Sequence, residues 1–195
     1  MNGIAITDHD TIKGGLEARN INNDPNFVVI VGCEILTDVG DIIGLFLSKE
    51  IKSRNYEGVI KEIKDQNGII VLPHPYRGHK LNSKIIENVD AIEVFNSRNN
   101  ENENIKALKL AKKYNKPILT GSDAHFVIEI GNATTVIKGS DITEINNNIL
   151  NASVKSTEYS PLYLKPASQI IKAIKSKKYN LIPQEVYNLA FSFIK

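Results

Sequence analysis

Four short motifs constrain this chain more than its composition does: Thr7-Asp8-His9-Asp10, Gly32-Cys33-Glu34, Pro73-His74-Pro75 and Gly121-Ser122-Asp123-Ala124-His125. Each closes or follows an apolar, β-branched run: GIAI, VVIV, IIVL and PILT. Strands of an α/β domain deliver side chains to one common site just past their carboxyl ends, whether the sheet closes into a barrel or stays open. Scattered polar residues would not fall so consistently at one end. The pattern predicts an α/β fold with a composite site.

Between these runs lie amphipathic stretches. Strands are expected at 3–7, 28–36, 41–48, 69–72, 91–95, 117–120 and 134–137, and helices at about 11–20, 56–66, 104–114 and 142–150. Gly68 is placed to end the helix before IIVL. Alternation of strand and helix implies parallel pairing through crossovers, with the sheet buried on both faces. From Ser140 the chain is less legible. Pro161, Pro166 and Pro183 punctuate it, and Ile170, Ile171 and Ile174 offer an apolar docking face beside Lys172, Lys175, Lys177 and Lys178, a run read as a solvated helix face. The expected organisation is a catalytic-type domain over 1–138 and a helical extension over 139–195 packed on it.

Composition excludes some partners. The 195 residues suffice for one domain with a sizeable core, and a formal charge of +2 creates no field that would hold a polyanion, so strong nucleic-acid binding is not expected. One cysteine, Cys33, excludes an intramolecular disulfide, and nothing reads as a leader or a bilayer span. A cytoplasmic protein with no membrane contact is the expectation.

The residue mix points to metal chemistry. Imidazole and carboxylate together suit zinc, manganese or iron, and a carboxylate can bridge two ions. Such ions activate a water and neutralise charge on a phosphate under in-line attack. Taken singly, each motif also has a structural reading. Asp10 could cap the helix that follows it, and GSDAH could be a turn. Glu34 is harder to explain that way, because a carboxylate inside an apolar strand is costly unless paired or bound to a cation. Cys33 should face away from Glu34 as a small buried hydrophobe. His79, in a polar loop, reads as a solvated residue.

In order along the chain, IAITDHDTIKGGLEA, GCEI, LPHPYRG, IEVFNSR and GSDAH resemble the PHP (polymerase and histidinol phosphatase) family, and most closely its small stand-alone phosphoesterases. The likeness covers roughly residues 1–137. It implies a distorted (β/α)7 barrel of the TIM type with two or three divalent ions at its mouth. His9, Glu34, His74, Asp123 and His125 would be metal ligands, with Glu34 bridging. Asp8 would orient them, Asp123 would accept a proton, and Arg77 and Asn96 would hold phosphate oxygens. Arg77 could equally be a solvated loop cation.

One departure from the family pattern shapes the expectation. Its members open on a strand bearing a His-x-His pair, whereas this chain opens on MNGIAITDH. The expected barrel therefore lacks its first β/α unit, holds fewer ions, and exposes an edge that a homodimer could cover. Two functions follow: metal-dependent hydrolysis of a small nucleotide or sugar phosphate, weak or absent in this chain, or a non-catalytic interaction module on the same scaffold.

Overall fold

The structure is a computed structural model that describes residues 1–193. Six strands form one sheet in sequential order: β1 (Gly3–Ile6), β2 (Val28–Thr37), β3 (Gly40–Leu45), β4 (Ile69–Leu72), β5 (Ala91–Asn96) and β6 (Ile118–Gly121). Among the described residues, seven α-helices accompany them: α1 (Lys13–Ile21), α2 (Tyr56–Lys64), α3 (Ser83–Asn88), α4 (Glu101–Lys113), α5 (Ile142–Asn148), α6 (Leu164–Lys175) and α7 (Ile182–Ser192). The sheet curls into a half barrel. A two-stranded antiparallel ribbon, β7 (Ala133–Val136) with β8 (Ser153–Thr157), follows β6.

The expected all-parallel pairing is not what forms. β1 pairs with β2 in parallel, and β4, β5 and β6 are parallel, but β3 runs antiparallel to both β2 and β4. The reason is local. Only Asp38 and Val39 separate β2 from β3, too short for a crossover, and the Thr37 hydroxyl donates to the Gly40 carbonyl across the turn at 2.6 Å. Gly40 takes φ 123°, a conformation that L side chains rarely adopt.

Alternation along the strands sends side chains to two separate cores. Val31, Cys33 and Ile35 of β2, with Ile42, Ile70, Leu72 and Ile92, pack outward under Val59 and Ile63 of α2, Ile85 and Ile86 of α3 and Leu110 of α4. Ile30, Leu45, Val71, Ala91 and Leu119 pack on the concave side against Ile149 and Ile145. Both faces are thus covered, as the continuous apolar runs require.

Helix boundaries follow the capping rules. The Asn55 side chain accepts the Gly58 N–H at 2.9 Å at the start of α2, and Asn100 with Glu103 forms a reciprocal box at the start of α4. At the end of α2 it is Asn67, φ 56°, that turns left-handed, not Gly68. Gly68 instead lies close to Ile63 and to the Leu45 carbonyl, where a Cβ would collide. Gly32 is a second close approach, since a Cβ there would sit 2.8 Å from the Gly44 carbonyl oxygen and 2.9 Å from Thr7 Cγ2. Gly32→Ala is expected to cost about 1–3 kcal/mol by overpacking, read as a lower denaturant midpoint at unchanged slope.

Candidate metal centre

The concave face carries the chemistry. Glu34 pairs with Ile43 across the β2–β3 hairpin, and Asp41 lies two residues before Ile43 on the same face, so the register brings the two carboxylates together. Beyond Ile6 the chain continues alongside β2. The Glu34 N–H donates to the Asp8 carbonyl at 3.1 Å, and the Asp10 N–H donates to the Glu34 carbonyl at 2.9 Å. His9 is thereby held opposite Glu34, with its Nδ1 3.8 Å from Glu34 Oε2. His74, just past β4, places Nε2 2.9 Å from Glu34 Oε1.

Glu34, Asp41 and His74 each present a ligand atom, all within 4.8 Å of one another. Glu34 and His74 are buried, and His74 Nδ1 is buried without a hydrogen-bond partner. Two carboxylates and an imidazole converging in a low-dielectric pocket are the mixed donors that divalent ions take, so the residues fit a cation. Burial, then the Glu34 charge, pushes the Asp41 carboxyl above its ordinary range. Burial works against a charged His74. The Glu34 hydrogen bond and the Glu93 and Glu34 charges outweigh it and raise the imidazole pKa.

A second group sits past β6. His125 Nδ1 lies 2.9 Å from the Asp123 carbonyl and 3.6 Å from Asp123 Oδ1, and the His9 and His125 rings are 6.2 Å apart. Arg77 donates from Nη2 to Asp123 Oδ2 at 2.5 Å and from Nη1 to Asn99 Oδ1 at 3.3 Å. Burial opposes ionisation of Asp123, but the Arg77 guanidinium prevails and holds its pKa below the usual carboxylate value. Both His74 (φ 26°) and Asp123 (φ 49°) adopt left-handed backbone, a strain that concentrates at functional sites.

Not every expected residue reaches this cluster. The Asp8 carboxylate lies against Gly14 at the start of α1, on the helix side of the strand. Asn96 is 1 % exposed, its amide donating to Glu93 Oε2 at 3.0 Å and its carbonyl accepting the Arg98 N–H at 2.9 Å, so both ends are committed within the protein. His79 is half-buried against the hairpin and not a freely solvated loop residue. Its Nε2 lies 2.8 Å from the Asp41 carbonyl, its ring stands 5.6 Å from that of His74, and burial lowers its pKa. Cys33 points into the outer core, on the opposite face from Glu34, and burial pushes its thiol up to about 12.

Two residues of the site are not legible in the sequence motifs. In the sequence Asp41 reads only as the first residue of a strand, because its position depends on the hairpin register. Glu93, in AIEVF, is like Glu34 a carboxylate inside an apolar strand, and that is the signal by which it can be found. It is buried among apolar residues, accepts the His74 backbone N–H at 2.7 Å, and burial raises its pKa.

Comparison with known proteins accords with this geometry. The family described as PHP-associated matches residues 101–154. Two uncharacterized proteins of Methanocaldococcus jannaschii are similar: MJ1587, 42% identical over 98 residues, which are 48% of this chain and 57% of that protein, and MJ0417, 40% identical over 117 residues, 53% of this chain and 49% of that one. The chain thus spans about half the length of these curated relatives. Among solved structures, a two-domain protein of Bacteroides vulgatus containing a predicted PHP-like metal-dependent phosphoesterase aligns with a TM-score of 0.67 at 17% identity, over 80% of this chain and 56% of that one. PsfC of Pseudomonas syringae aligns with a TM-score of 0.64 at 17% identity, over 80% and 78%. At that identity the structural matches show the shared fold. Together with the PHP-associated match over residues 101–154, they show that the chain shares its fold with PHP-like proteins and resembles that family over α4 to β8.

Proposed function

We propose that this protein hydrolyses a phosphate ester of a small nucleotide or sugar with the help of a divalent cation. The observation that carries the reading is the convergence of Glu34, Asp41 and His74 within 4.8 Å, with His9 beside Glu34. These residues would hold the ion, and Asp123 and His125, whose ring stands 6.2 Å from that of His9, would complete the ligand set. Zinc, manganese and iron all suit this mixture of nitrogen and oxygen. A bound cation would supply Lewis acidity toward a phosphoryl oxygen and favour ionisation of a water.

The remaining chemistry belongs to side chains of the protein. Arg77 is partly exposed and its planar fork suits two phosphate oxygens. Asp123, kept ionised by that guanidinium, is able to accept a proton. The His125 Nδ1–H, donating to the Asp123 carbonyl, would leave Nε2 free toward the opening. The Glu93 carboxylate holds the backbone N–H of His74 and thereby the placement of its ring.

The test is turnover of p-nitrophenyl phosphate and bis(p-nitrophenyl) phosphate by chelator-treated protein with zinc or manganese added back. Activity should vanish with chelator, return with metal, and be lost in Glu34→Gln. Glu93→Gln should weaken metal binding by about 10- to 100-fold, the cost of losing an outer partner of a ligand. Turnover that persists in excess chelator would end this reading.

A further inference from the structure

The most completely buried ion pair lies outside the ligand cluster. Arg98, two residues past β5, donates from Nε to Glu129 Oε1 and from Nη2 to Glu129 Oε2, both at 2.7 Å, with the two side chains 4% and 0% exposed. Glu129 does more than pair. Its Oε2 also accepts the backbone N–H of His125 at 2.9 Å and of Phe126 at 3.1 Å. The third guanidinium nitrogen, Nη1, donates to the Ser168 hydroxyl of α6 at 2.8 Å. One fork therefore joins three things: the end of β5, the loop that carries Asp123 and His125, and the first turns of α6.

The segment between β8 and α6 follows the same route. The Ser160 N–H donates to the Ser97 carbonyl at 2.8 Å, and Tyr159 packs on Phe95 with ring centres 5.0 Å apart. This part of the chain lies beyond the stretch matched by the PHP-associated family, which ends at 154. Apolar docking alone would not call for a buried arginine, since a hydrophobic pair fills such a space without the desolvation penalty. A loop that contains a residue of positive φ, Asp123, needs the amides that follow it fixed, and a carboxylate that accepts those of His125 and Phe126 while locked by a guanidinium does so.

We infer that Arg98 and Glu129 are positioning residues for the metal centre, fixing the 123–125 loop through its backbone, and that α6 is a working part of that support. The inference rests on the metal reading above. It makes α6 matter to ion binding although none of its residues reaches the ligands.

Cobalt(II) is the probe, because its visible spectrum reports the number and arrangement of ligands independently of turnover. Glu129→Gln is expected to raise the cobalt dissociation constant by about 10- to 100-fold, as for an outer partner that orients a ligand, and to change the spectrum. Arg98→Lys keeps the charge but loses the fork, so it should fold and still show the spectral change with weaker binding. Ser168→Ala should move both in the same direction by less. Glu62→Gln is the control: it removes a carboxylate that likewise accepts two successive amides, those of Lys52 and Ser53, but touches none of the ligands. Its cobalt affinity and spectrum should equal those of the wild type. Unchanged binding and spectrum in both Glu129→Gln and Arg98→Lys overturns the inference, as does an equal loss in Glu62→Gln. A wild-type chain that takes up no cobalt overturns the metal reading first and this one with it.

Discussion

Arg98→Met should lower stability by about 3–5 kcal/mol, because it strands the Glu129 carboxylate at 0% exposure with no cation beside it. For a domain of this length that corresponds to a fall of roughly 6–20 °C in the thermal midpoint. The pH dependence has a definite sign. Burial pushes the Glu129 carboxyl up, but the Arg98 fork and the His125 amide pull harder and leave it below its ordinary 4.5. A depressed carboxylate contributes stability above the unfolded value that is lost as pH falls through the folded one, so the wild-type advantage should shrink only below about pH 4.5. Adding Glu129→Leu to Arg98→Met should restore part of the loss and not all of it. The charge is gone, yet the amides of His125 and Phe126 are left without their acceptor. Thermal unfolding of the three variants checks this, and a shift below about 3 °C in Arg98→Met would contradict it.

Zinc or manganese at about 100 times its dissociation constant should stabilise the chain by about 2.7 kcal/mol, a rise of about 5–11 °C in the midpoint. Glu34→Ala should abolish that increment, since it removes the carboxylate shared by His9 and His74. The increment should also depend on pH. In the metal-free chain His74 has a pKa above its ordinary 6.5, so its protonated form contributes stability below 6.5 that is lost as pH rises through the folded value. A cation takes the neutral ring, so protons compete with it. The metal increment should grow across the interval in which the metal-free chain loses its own His74 contribution. Scanning calorimetry with and without metal, from acid through neutral pH, measures both curves together, and an increment independent of pH and of Glu34 would refute the site.

Much of this architecture was legible because local signals agreed. The runs GIAI, VVIVGCEIL, IIVL, AIEVF and PILT became strands close to the expected bounds, and the histidines of three motifs fell at one end of the sheet. What stayed hidden depends on pairing. β3 was expected as a strand, but its antiparallel direction comes from a two-residue connection, and Asp41 joins Glu34 only through that register. α3 is a short helix inside a polar stretch, recognisable by its Asn82 cap more than by periodicity. β8 is an exposed, polar strand that exists because β7 accepts it. His79 gave the wrong impression for a related reason: a polar loop was taken to be wet, yet Gly40, lacking a side chain, leaves room for the ring to lie beside the hairpin.

The left-handed backbone at His74 and Asp123 separates two events in time. Holding such residues in that conformation costs on the order of 1–3 kcal/mol each, and the cost is met when the chain folds, before any ion arrives. The backbone that carries these side chains is then already set, and a cation would have only the pairing of His74 with Glu34 to exchange. His74→Gly should therefore relax the backbone while removing a proposed ligand, so that tolerance to mutation and competence to bind would move in opposite directions at the same residue.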